Sequence, residues 1–327
     1  MKQIKVGIYG DNGHQITLLP DLDKHPGVQI VAAAACTKTK FSDTVKIYDT
    51  LAQMLEDEEI ELVSLCSPVR AQQAAHAIQC MRAGKHVYAE KPCAFSEEEL
   101  DEIIAVSRET GCRFHEMSEM EYHDIYATLI RLVREGAIGD VIQIFTQKSY
   151  SPNLESRPQD ENMDGGLLLQ VGIYNMRFAQ QVTGKKILHA TAVQTQKGNP
   201  KVGDLHTAVS FLTTHEDGVT GVGISNYCNP SGTFGSHGNE SIRVFGTGGF
   251  AEITDNGRSW RLCTHQKDYG AFAITEQTRH YFYDVLDELL GVSEIQIPLE
   301  EELHPVRMVI RAREALKENN VNFYSQN

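Results

Sequence analysis

The chain has 327 residues, 41 % of them hydrophobic and 23 % charged, which is enough for two ordinary domains with packed cores and argues against disorder. A formal net charge of −14 argues against nucleic acid and anionic membrane as partners, because both need a basic face, while leaving room for a local basic pocket. Seven cysteines without a C-x-x-C pair, and thirteen histidines without helical metal spacing, predict reduced thiols in a cytoplasmic protein with no disulfide framework and no metal site.

The opening MKQIKVGIYG runs straight into a strand, without a signal-peptide layout, and no apolar run approaches the ~18 residues needed to span a bilayer. The first third alternates short apolar runs with helical patterns. Strands are predicted at 5–10, 28–35, 45–49, 62–66 and 86–90, and helices over HQITLLPDL, TLAQMLEDEE and RAQQAAHAIQCMRAG. Strand, helix, strand at this spacing implies right-handed crossovers and a parallel, doubly wound α/β sheet. Ser96 followed by Glu97, Glu98 and Glu99 reads as a capping box, with Gly111 as the C-cap of the helix it opens. CRFHEMSE supplies one more strand, and the first domain ends near residue 121, giving domains 1–121 and 122–327.

Beyond that boundary the pattern changes. DIYATLIRLVREG is an amphipathic helix, and strands are predicted at 141–150, 187–196, 205–214, 218–227 and 241–247. His215-Glu216-Asp217-Gly218 marks a hairpin turn. Strands bunched with few helices between them imply an α+β domain on a large, mostly antiparallel sheet. Helices return in QTRHYFYDVLDELLG and PVRMVIRAREALKEN.

The first strand leads into G-I-Y-G-D-N-G-H-Q, where a Rossmann cradle wants G-x-G-x-x-G so that backbone amides face a pyrophosphate. Gly10 takes the first position, Asn12 the second and Gln15 the third, with Gly13 between them; Asp11 completes the loop. The competing reading is a tight strand-to-helix turn made by Gly10 and Gly13. The second strand ends Ala35-Cys36-Thr37-Lys38-Thr39-Lys40 without the acid that would hold an NAD ribose. Thr37, Lys38 and Lys40 suit a 2′-phosphate and favour NADP over NAD, against the plainer reading of a solvated loop.

The segment AGKHVYAEKPCAFSEEELDEIIAVSRETG resembles the signature of the glucose–fructose oxidoreductase/inositol dehydrogenase (Gfo/Idh/MocA) family. YDTLAQMLEDEEIELVSLCSP, REGAIGDVIQI, GGLLLQVGIYNMRFAQQVTG and SIRVFGTGGFAEI extend the resemblance over nearly the whole chain. It implies a nicotinamide-binding Rossmann domain (NAD or NADP) and a second domain whose open sheet joins copies into a dimer or tetramer. The implied substrates are sugars, polyols or related carbonyl compounds. It also implies that Lys91 lies beside the nicotinamide and the reacting oxygen, that Glu90 and Pro92 set its position across a cis bond, and that Ser67 and Pro68 line the cofactor.

The second-domain motif departs from the family pattern. Where the family has Asp and, four residues later, His, this chain has Gln170 and Tyr174. A spacing of four puts both on one helix face. Tyrosine at the second position resembles the branch with glucose–fructose oxidoreductase and dihydrodiol dehydrogenase, in which a phenol beside a lysine suits proton transfer. Gln170 can orient a hydroxyl but cannot ionise. Glu121 replaces a common Arg, and Gln72 a common His. Three readings follow: an active reductase with Tyr174 as proton donor, Lys91 as electrostatic partner and Gln170 as positioning group; a catalytically weak member that binds a sugar or nucleotide; or a Tyr174 and Gln170 that merely pack a helix on the sheet. The loop 151–166, with Arg157, is placed to contact substrate.

Overall fold

Six short segments in the first third of the chain become one parallel sheet. In the computed structural model, which describes residues 3–13, 26–118, 122–230 and 239–319, they are β1 (Ile4–Tyr9), β2 (Val28–Ala34), β3 (Lys46–Tyr48), β4 (Leu62–Leu65), β5 (His86–Ala89) and β6 (Phe114–Glu116). The order is β3-β2-β1-β4-β5-β6 with every pairing parallel. Order reverses between β1 and β4, which is the switch point of a doubly wound sheet, and ligands of such sheets bind outside the carboxyl ends of the strands there.

The helices begin where the chain supplies caps. Thr50 opens α1 (Leu51–Leu55) with a reciprocal capping box: its hydroxyl accepts from the Gln53 amide, and the Gln53 side chain accepts from the Thr50 amide. Helix α2 (Gln73–Arg82) follows a 3₁₀ turn at Arg70–Gln72. Helix α3 (Glu97–Thr110) starts at Ser96, whose hydroxyl accepts from the Glu99 amide, and ends at Gly111 in the left-handed region. The reciprocal half expected there is displaced by one residue, because the Glu99 carboxylate accepts from Phe95 and not from Ser96. The expected helix over 14–22, with His14 and Gln15, lies outside the described residues, as does Glu121.

The second sheet has eight strands. Helix α4 (Asp124–Arg134) precedes β7 (Val141–Ser149), and a π-helical turn (Leu167–Val171) leads into α5 (Gly172–Thr183). Strands β8 (Ile187–Thr195), β9 (Ala208–His215), β10 (Thr220–Asn226), β11 (Asn239–Gly246), β12 (Gly249–Thr254), β13 (Ser259–Thr264) and β14 (Asp268–Gly270) complete the order β14-β13-β12-β11-β7-β10-β9-β8. Every pairing is antiparallel except β7 with β10. The hairpin at 215–218 forms as expected, with Asp217 and Gly218 at positive φ. Strands β12–β14 were not expected.

The chain divides into two compact units. One gathers Met1–Ser118, Asn162–Gly165 and His280–His304; the other gathers Glu119–Glu161, Gly166–Arg279 and Pro305–Asn327. The sequence reading draws a single boundary at residue 121, whereas helices α6 (Tyr281–Leu290) and α7 (Leu299–Glu302) return to the first unit before α8 (His304–Asn319). His115 on β6 anchors them. Its Nδ1 lies 3.0 Å from the Tyr281 hydroxyl and 2.9 Å from Glu302, and its Nε2 lies 3.1 Å from Glu288.

Candidate functional site

Every residue expected to hold a cofactor falls just beyond a carboxyl end of the parallel sheet. Gly10, Asp11, Asn12 and Gly13 follow β1, Thr37 and Lys38 follow β2, Ser67 and Pro68 follow β4, and Glu90, Lys91 and Pro92 follow β5. Gly10 has φ +78°, and a side chain there would collide with the Cys66 carbonyl oxygen across the switch point. That is the role of the first glycine in a dinucleotide cradle, where the tight turn must stay bare. Asp11 is buried, and its carboxylate accepts from the amides of Lys38 and Thr39, so it ties the β1 loop to the end of β2. The Lys38 ammonium donates to the Asn12 side chain at 2.6 Å. Cys36, on the same turn, has its thiol pushed up to about 12, first by burial and then by the Asp11 charge.

The Glu90-Lys91-Pro92 segment is held almost atom by atom. Its Lys91–Pro92 bond is cis, as the resemblance implies. The Glu90 amide donates to Leu65 O at 2.8 Å, continuing the ladder past the strand end. Arg70 Nη1 donates to the Lys91 carbonyl at 2.9 Å, and the Gln73 amide group donates to the carbonyls of Glu90 and Pro92. The Cys93 amide donates to Glu116 at 2.6 Å. Gln73 also accepts from the Ser67 amide at 2.9 Å, so one buried side chain links the loop after β4 to the loop after β5. The Lys91 side chain is 2 % exposed. A lysine that merely ended a strand in solvent would not be buried.

Arg70 and Gln73 escape a reading of the sequence by motif. Arg70 resembles a surface residue on the first turn of a helix. Gln73 is overshadowed by its neighbour Gln72, which is exposed. The usable signal is helical phase: Gln73 shares a face with the buried Ala77 and Cys80.

In the second unit, Gln170 belongs to the π-helical turn and Tyr174 to the first turn of α5, so the two do not share one regular α-helix. Single π-turns are frequent at functional sites. Asn175 fixes the start of α5 on the sheet. Its carbonyl accepts from Thr146 on β7 at 2.9 Å, and its amide donates to Ser225 on β10 at 2.8 Å. Gly223 allows this approach, since a Cβ there would lie 2.9 Å from that of Asn175. Tyr174, buried beside it, meets a residue that sequence reasoning missed. Lys148 on β7 places its ammonium 4.9 Å from the Tyr174 ring centre and 4.9 Å from that of Tyr150. Lys148 pairs with Glu240 on β11, its register partner, and their side chains are 2 % and 0 % exposed. In the loop expected to contact substrate, Arg157 stacks its guanidinium 3.6 Å from the Tyr227 ring centre.

Two family models cover most of the chain. The model described as an oxidoreductase family with an NAD-binding Rossmann fold matches residues 4–118, and the GFO/IDH/MocA C-terminal domain matches residues 126–252. The chain belongs to the Gfo/Idh/MocA oxidoreductase family. As a member it carries the family's NAD(P)-binding Rossmann domain and its mostly antiparallel C-terminal sheet.

Within the family, it is 26 % identical over 295 residues to an uncharacterized oxidoreductase of Bacillus subtilis (strain 168), covering 86 % of this chain and 81 % of that one. It is 26 % identical over 233 residues to trans-1,2-dihydrobenzene-1,2-diol dehydrogenase of Bos taurus, covering 69 % of this chain and 66 % of the enzyme. A solved structure of a 3-ketoreductase from Actinomadura kijaniata, in complex with NADP and TDP-benzene, has a TM-score of 0.78 at 18 % identity, covering 96 % of this chain and 98 % of that one. At that identity the likeness shows the fold. No helix among the described residues is long and apolar enough to cross a membrane.

Proposed function

We propose that this chain moves a hydride between a nicotinamide cofactor and a hydroxyl- or carbonyl-bearing carbon of a sugar, polyol or related compound, with Lys91 and Tyr174 handling the accompanying proton. The observation that carries this reading is the burial of Lys91, with the backbone on both sides of it held by Arg70 and Gln73. The backbone that carries this lysine is fixed before any ligand arrives, which suits charge stabilisation of a developing alkoxide. A bound nicotinamide supplies the hydride chemistry, and the protein supplies orientation and charge around it.

Gly10, Asp11, Asn12, Gly13, Thr37, Lys38, Ser67, Pro68, Glu90 and Pro92 are the residues proposed to hold the cofactor. The bare turn at Gly10 supports a pyrophosphate close to the loop backbone. NADP is favoured over NAD because no carboxylate side chain ends β2, and the Asp11 carboxylate that reaches this turn is already taken up by two amides, leaving Thr37 and Lys38 exposed there. Tyr174 is the proton-carrying phenol and Gln170 a positioning group. The diol dehydrogenase of Bos taurus supports the substrate class. Copies are proposed to join through the open face of the eight-stranded sheet, where Leu212 is 60 % exposed and Val193 48 %.

The test is cofactor titration with NADP and NAD, followed by nicotinamide absorbance across a panel of sugars and polyols. Turnover should appear with some member of the panel and vanish in Lys91→Ala. If neither nucleotide binds at millimolar concentration, the proposal is wrong. Gln170, which cannot ionise, favours a second reading of a binding protein with little turnover. Tight cofactor binding without any absorbance change would select it.

A further inference from the structure

A lysine inside a β-sheet needs a reason. Removing an ammonium and a carboxylate from water costs several kcal/mol per ion, and an apolar pair of similar volume is often as stable or more so. Lys148 and Glu240 occupy such a place. They face each other across β7 and β11, and Lys148 is flanked on its other side by Ser225 of β10. The rings of Tyr150 and Tyr174 lie at equal distances from the ammonium. The same strands, β7 and β10, receive the two Asn175 hydrogen bonds that fix the first turn of α5. Charge, ring and helix start are therefore held by one set of strands.

We propose, building on the reading of Tyr174 as the proton-carrying phenol, that Lys148 is its positioning residue. The ammonium, fixed by Glu240, orients the Tyr174 ring by cation–π attraction and provides a nearby positive charge that favours a phenol oxygen giving up its proton. Lys91 belongs to the Rossmann unit, whereas Lys148 and Tyr174 belong to the same unit, so this partnership is built into the second domain by itself.

The experiment compares the full chain with Tyr174→Phe, Lys148→Arg and the paired change Lys148→Met with Glu240→Met, which avoids stranding either charge in the sheet. With ¹³C-labelled tyrosine, the signal absent from Tyr174→Phe is the Tyr174 ring. It should move in the Met pair and stay close to its place in Lys148→Arg. Turnover with trans-1,2-dihydrobenzene-1,2-diol and NADP should show kcat lower by about tenfold in the Met pair, with KM nearly unchanged. The Met pair should have no further effect in the Tyr174→Phe background. A Tyr174 signal unmoved in a folded Met pair overturns the role of Lys148, whether or not the diol is turned over. Full kcat in the Met pair beside a crippled Tyr174→Phe overturns it as well and leaves the Tyr174 reading intact. Full activity in Tyr174→Phe overturns the underlying reading.

Discussion

Arg70 Nη1 donates to the carbonyl of Lys91 at 2.9 Å, so a residue from the turn after β4 fixes the backbone at the end of β5. Its second guanidinium arm reaches the Cys66 sulfur at 3.0 Å. Replacing it by Lys keeps the charge and loses the fork. Arg70→Lys should weaken cofactor binding and lower the melting temperature, with little change in surface charge behaviour. Isothermal titration with NADP and a thermal melt would check both.

Gln73→Leu should be more damaging than its size suggests. It leaves the Ser67 amide and the carbonyls of Glu90 and Pro92 without this partner inside the protein. Each stranded group costs about 1–3 kcal/mol. Gln72→Leu, on the exposed neighbour, should melt within a degree or so of wild type. Equal melting of the two variants would contradict the linking role given to Gln73.

Gly10→Ala should remove nucleotide binding. The new methyl would meet the Cys66 carbonyl, and the backbone at φ +78° is unfavourable for any side chain, at a cost of about 1–3 kcal/mol. A titration in which the Ala variant binds NADP as tightly as wild type would show that the cradle lies elsewhere.

His115 gives the first unit a pH dependence. Burial opposes its charge, but Glu302 and Glu288 outweigh burial and push it up to about 9 from an ordinary 6.5. A raised folded value means that its stabilisation is complete below about 6.5 and disappears as pH rises through about 9, with roughly 3 kcal/mol at stake. Glu288 works in the opposite sense. Burial raises it, the His115 bond and charge lower it further, and its contribution is lost as pH falls below the ordinary carboxylate range. Arg113 also faces Glu288, at 3.7 Å. Protection factors across 280–304, in which the base-catalysed rise of intrinsic amide exchange is divided out, should therefore fall between pH 7 and pH 9.5 in wild type, in line with this titration. In His115→Gln the protection factors should already be low at pH 7 and change little over that interval.

Leu212→Lys should reduce the mass seen by light scattering if copies join through the open sheet face. An unchanged mass would move the contact to another surface.

Much of this was legible because parallel strands are buried on both faces and read as unbroken apolar runs. The runs at 28–35, 62–66 and 86–90 fell within a residue of β2, β4 and β5. Strands β12–β14 were missed because their chain is glycine-rich at the turns and half-exposed, so alternation is faint. Lys148 was missed for a different reason. A charge in a strand suggests the solvent side, yet position 148 is in phase with buried Ile144 and Thr146, and Glu240 with buried Ile242 and Val244. Two opposite charges, each in phase with a core, were the available clue. An amphipathic helix announces a buried face without naming what covers it, which is why the return of residues 280–304 to the first unit could not be read.

That return has a consequence for synthesis. The N-terminal strands leave the ribosome first, but the carboxylates that neutralise His115 are encoded after position 280. At 5–20 residues per second, the edge of the nascent Rossmann sheet stays uncovered for roughly 8–30 seconds while the intervening polypeptide is made. The domain begun first is thus among the last to be finished.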